Sequence, residues 1–300
     1  AGIRMLHVPY KGGAPAVLQV LELPGAVLLY GAGRGPDDAG GSILRTFLRR
    51  RRIDHVNLVL LSHPDRAGFG DLIDVIDRFP TGPVCTTPHF EELAVRDVYA
   101  AELLRRLRGR QHPVTHVTSE TPAMHVGDVR VEFLWPPRDA PFVLDRRNSS
   151  LVVRVSRQGR SVLLCGDIRD DAQAWLAHRM DVRTDVIVLP HPGAVSQSTA
   201  RLVAEAAARH LICSHDANAD SEHAPAALPA DCTIHDVGDS SAVRVRIAGG
   251  RLTVRRVAAP AAPDPRRMGR LRGRILAALT VLGVALWCCP TSSRGGLTMT

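Results

Sequence analysis

Lysine is almost missing from this chain. Lys11 is the only one among 38 basic residues, so the other 37 are arginine. With so much alanine, that imbalance reflects GC-rich coding, and a high arginine count is then no argument for nucleic-acid contacts. Cysteine is scarce as well. Six in 300 residues, with no C-x-x-C pair, exclude a disulfide scaffold and a zinc ribbon. No strand-like run leads into G-x-G-x-x-G or G-x-x-x-x-G-K-[ST], which leaves a doubly wound nucleotide-binding fold without its phosphate loop. No repeat of fixed period is present. Residues 3–8 are strand-like and too short for the apolar core of a secretory leader. The chain opens Ala1-Gly2-Ile3 without methionine, as a fragment or a processed product would.

What is present fits a globular body. Apolar residues make up 45% and charged residues 23%, enough for a full core in one large domain or two ordinary ones, and general disorder is excluded. The net charge is +8, but its distribution matters more than its size. Residues 262–300 hold six arginines and one acid, Asp264, a net of +5 that leaves only +3 for the rest. The body therefore gives weak electrostatic support for DNA binding.

The sequence divides accordingly into a body (1–261), a basic Pro/Arg linker (262–274), a charge-free run (275–289) and a tail (290–300). The charge-free run opens at Ile275 and closes at Cys289. As a helix it would span roughly 22 Å, short of the ~30 Å hydrocarbon layer, with Arg272 and Arg274 able to snorkel toward the headgroups. We read it as a single membrane helix; a helix buried on the body is the alternative. The arginines before Ile275 would place that flank in the cytosol.

Within the body, strand-like and helix-like segments alternate. Residues 17–23 and 26–30 form a hairpin around Pro24-Gly25. Residues 56–61 are nearly all apolar, as in a strand buried on both faces. Residues 40–52, 71–79, 91–107, 171–179 and 198–209 read as helices. Residues 114–117, 129–134, 151–155, 161–164, 185–189, 211–213, 242–247 and 252–257 read as strands. Early antiparallel meanders followed by helices between strands predict two packed sheets with helices outside.

Three strand ends carry residues suited to metal chemistry. Leu60-Leu61-Ser62-His63-Pro64-Asp65 places a histidine and an acid two apart in a loop after a buried strand. Alone, that pair reads as a loop histidine and a capping aspartate. Leu163-Leu164-Cys165-Gly166-Asp167 and Val188-Leu189-Pro190-His191-Pro192-Gly193 add two more strand ends with an acid and a histidine. Gathering ligands from successive strand ends is one way to build a metallohydrolase centre.

With these segments in order, the chain resembles the C-terminal metallo-β-lactamase-fold domain of the ComEC family, membrane channel proteins of DNA uptake in natural competence. The resemblance rests on Leu28-Leu29-Tyr30-Gly31-Ala32-Gly33, Arg52-Ile53-Asp54, Ser62-His63-Pro64-Asp65, Asn148-Ser149-Ser150-Leu151-Val152, Cys165-Gly166-Asp167 and Pro190-His191-Pro192-Gly193. It covers roughly residues 3–257 and implies an α/β fold, a metallo-β-lactamase-like four-layer αβ/βα sandwich, here followed by a C-terminal apolar helix. It also implies a bacterial cell membrane location, DNA as a partner, and a polytopic channel region that would lie before Ala1. The resemblance implies a domain on the outer side of the membrane, whereas the arginines before Ile275 point to a cytosolic flank, so the side of the body stays open.

The departures from the family's pattern fall on its chemistry. Gly31 stands at the acid of the family's D-A-G. Ala67 and Gly68 stand at the second acid and the histidine of S-H-x-D-x-D-H, and Pro192 stands at the second histidine of P-H-H-G. An alanine and a glycine offer no side-chain ligand. The remnant set is His63, Asp65, Asp167 and His191, enough for one zinc or manganese ion if they converge; the departures weigh toward no metal at all. The expected function is a catalytically degenerate ComEC-like domain of DNA internalisation. The alternatives are a single-metal phosphodiesterase, nuclease or other metallohydrolase, and a membrane-anchored hydrolase of another substrate class.

Other residues carry less. His223 reads as a solvated loop histidine, and Ser62 and Ser149 lack a nucleophile-elbow pattern. Arg49–Arg52, closing a helix, read as a solvated face favoured by the helix C-terminal dipole, with contact to phosphates as the alternative. Cys165 reads as a small core residue, and acylation of Cys288 and Cys289 has no support beyond their position.

Overall fold

A computed structural model describes residues 2–9, 17–33, 43–138, 145–190, 195–214, 228–237 and 241–258. The linker, the 275–289 run, His191, His223, Cys288 and Cys289 lie outside the described residues.

The strands are β1 Ile3–Pro9, β2 Val17–Leu23, β3 Ala26–Ala32, β4 Leu58–Leu60, β5 Val84–Thr86, β6 Val114–His116, β7 Met124–Val126, β8 Val129–Trp135, β9 Val152–Arg157, β10 Arg160–Leu164, β11 Val186–Val188, β12 His210–Ser214, β13 Thr233–Val237, β14 Ser241–Ala248 and β15 Arg251–Ala258. The helices are α1 Ile43–Arg50, α2 Arg66–Phe69, α3 Leu72–Ile76, α4 Pro88–Ala94, α5 Val98–Gly109, α6 Asp170–Arg179 and α7 Gln197–Ala206. One sheet runs β15-β14-β1-β2-β3-β4-β5-β6 and the other β13-β12-β11-β10-β9-β8-β7.

Each sheet has an antiparallel half made of meanders and a parallel half, β3–β6 in one and β10–β13 in the other. A parallel pair needs a long crossover, and the helices supply it for β3 through β6 and for β10 through β12. This is why helices cover the parallel halves.

Burial defines four layers. Ile3, Met5, Leu28 and Leu60 of the first sheet meet Phe133, Val155, Leu164 and Val188 of the second in a central core. On the outer face of the first sheet, Leu18, Leu29 and Val59 pack on Leu44, Leu48, Phe90 and Leu103 from α1, α4 and α5. On the outer face of the second, Trp135, Leu163 and Ile187 pack on Leu176, Leu202 and Val203 from α6 and α7. Neighbours such as Leu28 and Leu29, or Val186 and Ile187, thus serve different cores, so these strands are apolar on both faces. The order is the α/β/β/α sandwich expected from the sequence, and Cys165 is a buried core residue of it.

One expected element is divided. Residues 91–107 do not form one helix: α4 stops at Ala94 and α5 starts at Val98. Asp97 makes the break, accepting from the Tyr99 and Ala100 amides as an N-cap. Strands β5, β7 and β13 were not expected at all; each has three to five residues and takes its place from pairing with a neighbour.

Candidate active site at the strand ends

The C-terminal ends of β4 and β10 carry the residues singled out from the sequence, at the mouth where parallel α/β strands tend to hold ligands. After β4, the Leu61 amide donates to the Cys85 carbonyl and Thr86 Oγ1 to the Leu61 carbonyl, fixing the start of the loop. The loop then turns through Ser62, His63 and Asp65 into α2. After β10, Gly166 turns the chain at φ +63°, where L side chains are strained, and delivers Asp167.

The two ends are tied by the segment 145–151. Asp145 Oδ1 accepts from the Arg147 and Asn148 amides and closes a tight turn. The Leu151 amide donates to the Ser62 carbonyl, and the Asp167 amide donates to Ser150 Oγ. The Arg169 amide donates to Asn148 Oδ1, and Trp135 Nε1 donates to the Asn148 carbonyl. Asn148, Ser149 and Ser150 are all buried. Tyr30, from β3, closes the knot from below: its Oη donates to the Leu151 carbonyl at 2.5 Å and lies 3.4 Å from Ser62 Oγ. Burial pushes the Tyr30 phenol far above its ordinary range, so it stays a donor. Ser62 is consumed in this buried network and is not a presented nucleophile.

Electrostatically, His63, Asp65 and Asp167 share a neighbourhood with two arginines. Burial holds the His63 imidazole below its usual pKa; Asp167 and Asp65 oppose that, and Arg147 and Arg146 add to it. Arg147 Nε lies 3.4 Å from Asp167 Oδ2. Arg146 is paired instead with Asp97, the α5 cap, and Arg66 is stacked over the Tyr99 ring at 4.3 Å. His63 Nδ1 is buried without a hydrogen-bond partner among the described residues. Gly68 lies against the same ring: a Cβ there would meet His63 Cε1 and Nε2 at 3.4 and 3.5 Å. Gly31, next to Tyr30 on β3, has a φ of +70°.

The described donors at this end are His63, Asp65 and Asp167. Among the described residues no three His, Cys, Asp or Glu side chains come close enough to share an ion. The carboxylate of Asp167 faces a guanidinium. His191, the fourth member of the expected set, is outside the described residues. Tyr30, Arg147 and Ser150 are the site residues that sequence reasoning did not single out. Ser150 was visible only as part of the Asn148-to-Val152 motif, and Arg147 sits one residue before it.

No protein-family model matches the chain, and no curated protein matches its sequence. Among solved structures it is similar to the metallo-beta-lactamase fold protein YhfI from Bacillus subtilis, at 13% identity over 71% of this chain and 86% of that one, with a TM-score of 0.46. It is similar also to a diphosphatase of the PhnP family, at 13% identity over 82% of this chain and 99% of that one, with a TM-score of 0.48. Zinc-bound PqqB from Methylobacterium extorquens aligns at 12% identity over 66% and 76%, with a TM-score of 0.42. These are likenesses of fold; the sandwich itself rests on the layers described above.

Proposed function

We propose that this chain is a catalytically silent, DNA-handling sandwich module of the ComEC type. The observation that supports it most is the Arg147–Asp167 pair. A site built to bind a divalent ion keeps its acids for the metal, and a guanidinium at 3.4 Å from Asp167 supplies the positive charge from the protein itself. The knot of Tyr30, Ser62, Ser150 and Leu151 serves stability here, holding the two sheets together at the family's ligand-bearing end. In this reading DNA is the partner and residues 275–289 anchor the chain to a bacterial membrane.

The test is metal content of the full chain after loading with zinc or manganese and desalting, alongside hydrolysis of bis(p-nitrophenyl) phosphate. The expected result is folded protein with neither retained metal nor turnover. Near-stoichiometric metal that disappears in a His63→Ala/Asp167→Ala variant, together with turnover, would overturn it. Oligonucleotide affinity that falls with rising salt is expected as well.

A second reading, a single-metal hydrolase, has one observation in its favour. His63 Nδ1 is a buried ring nitrogen without a described partner, held in its neutral, ligand-competent form. The same metal measurement decides between the two.

A further inference from the structure

The antiparallel half of the first sheet has an outer face that its helices leave partly open. Side chains alternate across β14: Val243, Val245 and Ile247 enter the central core, while Arg244 and Arg246 are exposed on the other side. In the ladder, Arg246 stands directly opposite Arg4 of β1, and Arg244 directly opposite Arg255 of β15. Two like-charged cross-strand pairs side by side are destabilising unless something anionic lies between them.

A cavity of about 240 Å³ opens at this place, and Arg4, Arg51, Arg244 and Arg246 line it with Glu22 and Leu6. Glu22 is already engaged. It accepts from Arg51 Nε and Nη2 at 3.0 and 2.7 Å and lies 3.7 Å from Arg4. Arg244 and Arg246 have no anionic partner among the described residues. Four arginines against one glutamate leave three positive charges in the cavity wall.

We infer that this cavity binds phosphate oxyanions. A lone carboxylate would leave two charges unmatched, whereas a pyrophosphate or successive phosphates of a strand match them. Arginine forks pair with phosphate oxygens in two parallel bonds. The cavity is smaller than the ~300 Å³ at which whole-ligand pockets begin, so it suits the phosphate moiety of a ligand. Arg244 and Arg246, two residues apart on one strand, are about 6.8 Å apart along it, which allows each to take a separate phosphate. The site stands on its own residues; only a phosphodiester strand as the source rests on the DNA-handling reading.

The experiment uses the full chain in detergent micelles, titrated with pyrophosphate and, separately, with a short oligothymidylate at low salt. Wild type is compared with Arg244→Gln/Arg246→Gln, and circular dichroism checks the fold. Should the double variant not fold, Arg4→Gln and Arg246→Thr, each at an exposed ladder position, carry the comparison. Pyrophosphate affinity is expected to fall about tenfold or more in the variant, the effect of losing a charged hydrogen-bond pair. If the phosphate comes from a strand, oligothymidylate binding weakens too, and its salt slope drops by about 0.7 per lost contact. In anion-free buffer the double variant should melt no lower than wild type, because both opposed like-charge pairs have gone. Unchanged affinity for both ligands in a folded variant would overturn the site. Pyrophosphate binding that is lost in the variant, with no oligothymidylate binding by wild type, would uphold the site and refute the DNA-handling reading.

Discussion

Gly166 is the tightest point of the strand-end knot, and Gly166→Ala tests whether that knot is packed as described. A Cβ at this position would lie 2.5 Å from Ser62 Oγ, 2.9 Å from Ser150 Cβ and 2.9 Å from Tyr30 Oη. None of these atoms is the free end of a flexible side chain; all three are buried in a hydrogen-bonded network. The backbone adds a second penalty, because φ is +63°. An alanine held in that region costs about 1–2 kcal/mol. Overpacking a closed site costs about 1–3 kcal/mol more. The total, about 2–5 kcal/mol, is a large share of a typical stability of about 5–15 kcal/mol. It should lower the melting temperature by about 4–20 °C. Gly159→Ala is the control. Its φ is +72°, yet a Cβ there meets nothing within 4 Å, so it carries the backbone penalty alone. Calorimetric melts of the two variants give the packing contribution by difference. If Gly166→Ala melts together with Gly159→Ala, Ser62, Ser150 and Tyr30 do not converge on this turn and the account of the site is wrong.

Four other outcomes are expected. Tyr30→Phe leaves the buried Leu151 carbonyl without its phenol donor, and urea unfolding should show a loss of about 1–3 kcal/mol. Arg147→Gln should cost less than about 1 kcal/mol in the same assay, since the arginine side chain is 41% exposed and its pairing with Asp167 is screened. Asp97→Ala removes the α5 cap and should lose about 0.5–2 kcal/mol, with helical signal reduced by circular dichroism. The fourth concerns pH. His210 Nδ1 and His235 Nε2 are 3.2 Å apart, and burial lowers both imidazoles; His210 is helped upward by Asp185 and pushed down by Arg209, and His235 is pushed down by His210 and Arg256. A histidine whose folded pKa is depressed takes its proton first in the unfolded chain. Stability from this pair is therefore present above the ordinary histidine pKa of about 6.5 and is lost as pH falls below it. Urea midpoints should decline from about pH 7.5 to about pH 5.5, less steeply in His210→Asn/His235→Asn; equal slopes in variant and wild type would refute the assignment.

The architecture was legible because its signals are local. Runs such as Leu28 to Tyr30 and Val186 to Val188 are apolar at every position, which only a strand between two cores requires, and the pattern of meanders and crossovers then leads to two packed sheets. The α4–α5 break was not legible. Val95 and Val98 look like core positions of one helix but are 84% and 82% exposed, because Asp97 caps a new helix between them. At the candidate site, the motifs located His63, Asp65 and Asp167 at the ends of β4 and β10.

By itself, then, the sequence determined the layers and the strand ends on which His63, Asp65 and Asp167 lie, since burial patterns are properties of neighbouring positions along the chain. Only the tertiary structure decided what stands at those ends. Tyr30 meets Leu151 across 121 residues, and Arg147 meets the Asp167 carboxylate across a turn closed by Asp145. The arginines of β1 and β14 came to line one charged cavity through strand register, which places Arg4 and Arg246, more than two hundred positions apart, directly across from each other. Contacts of that kind depend on how strands pair, and pairing is settled by the packing of the whole fold.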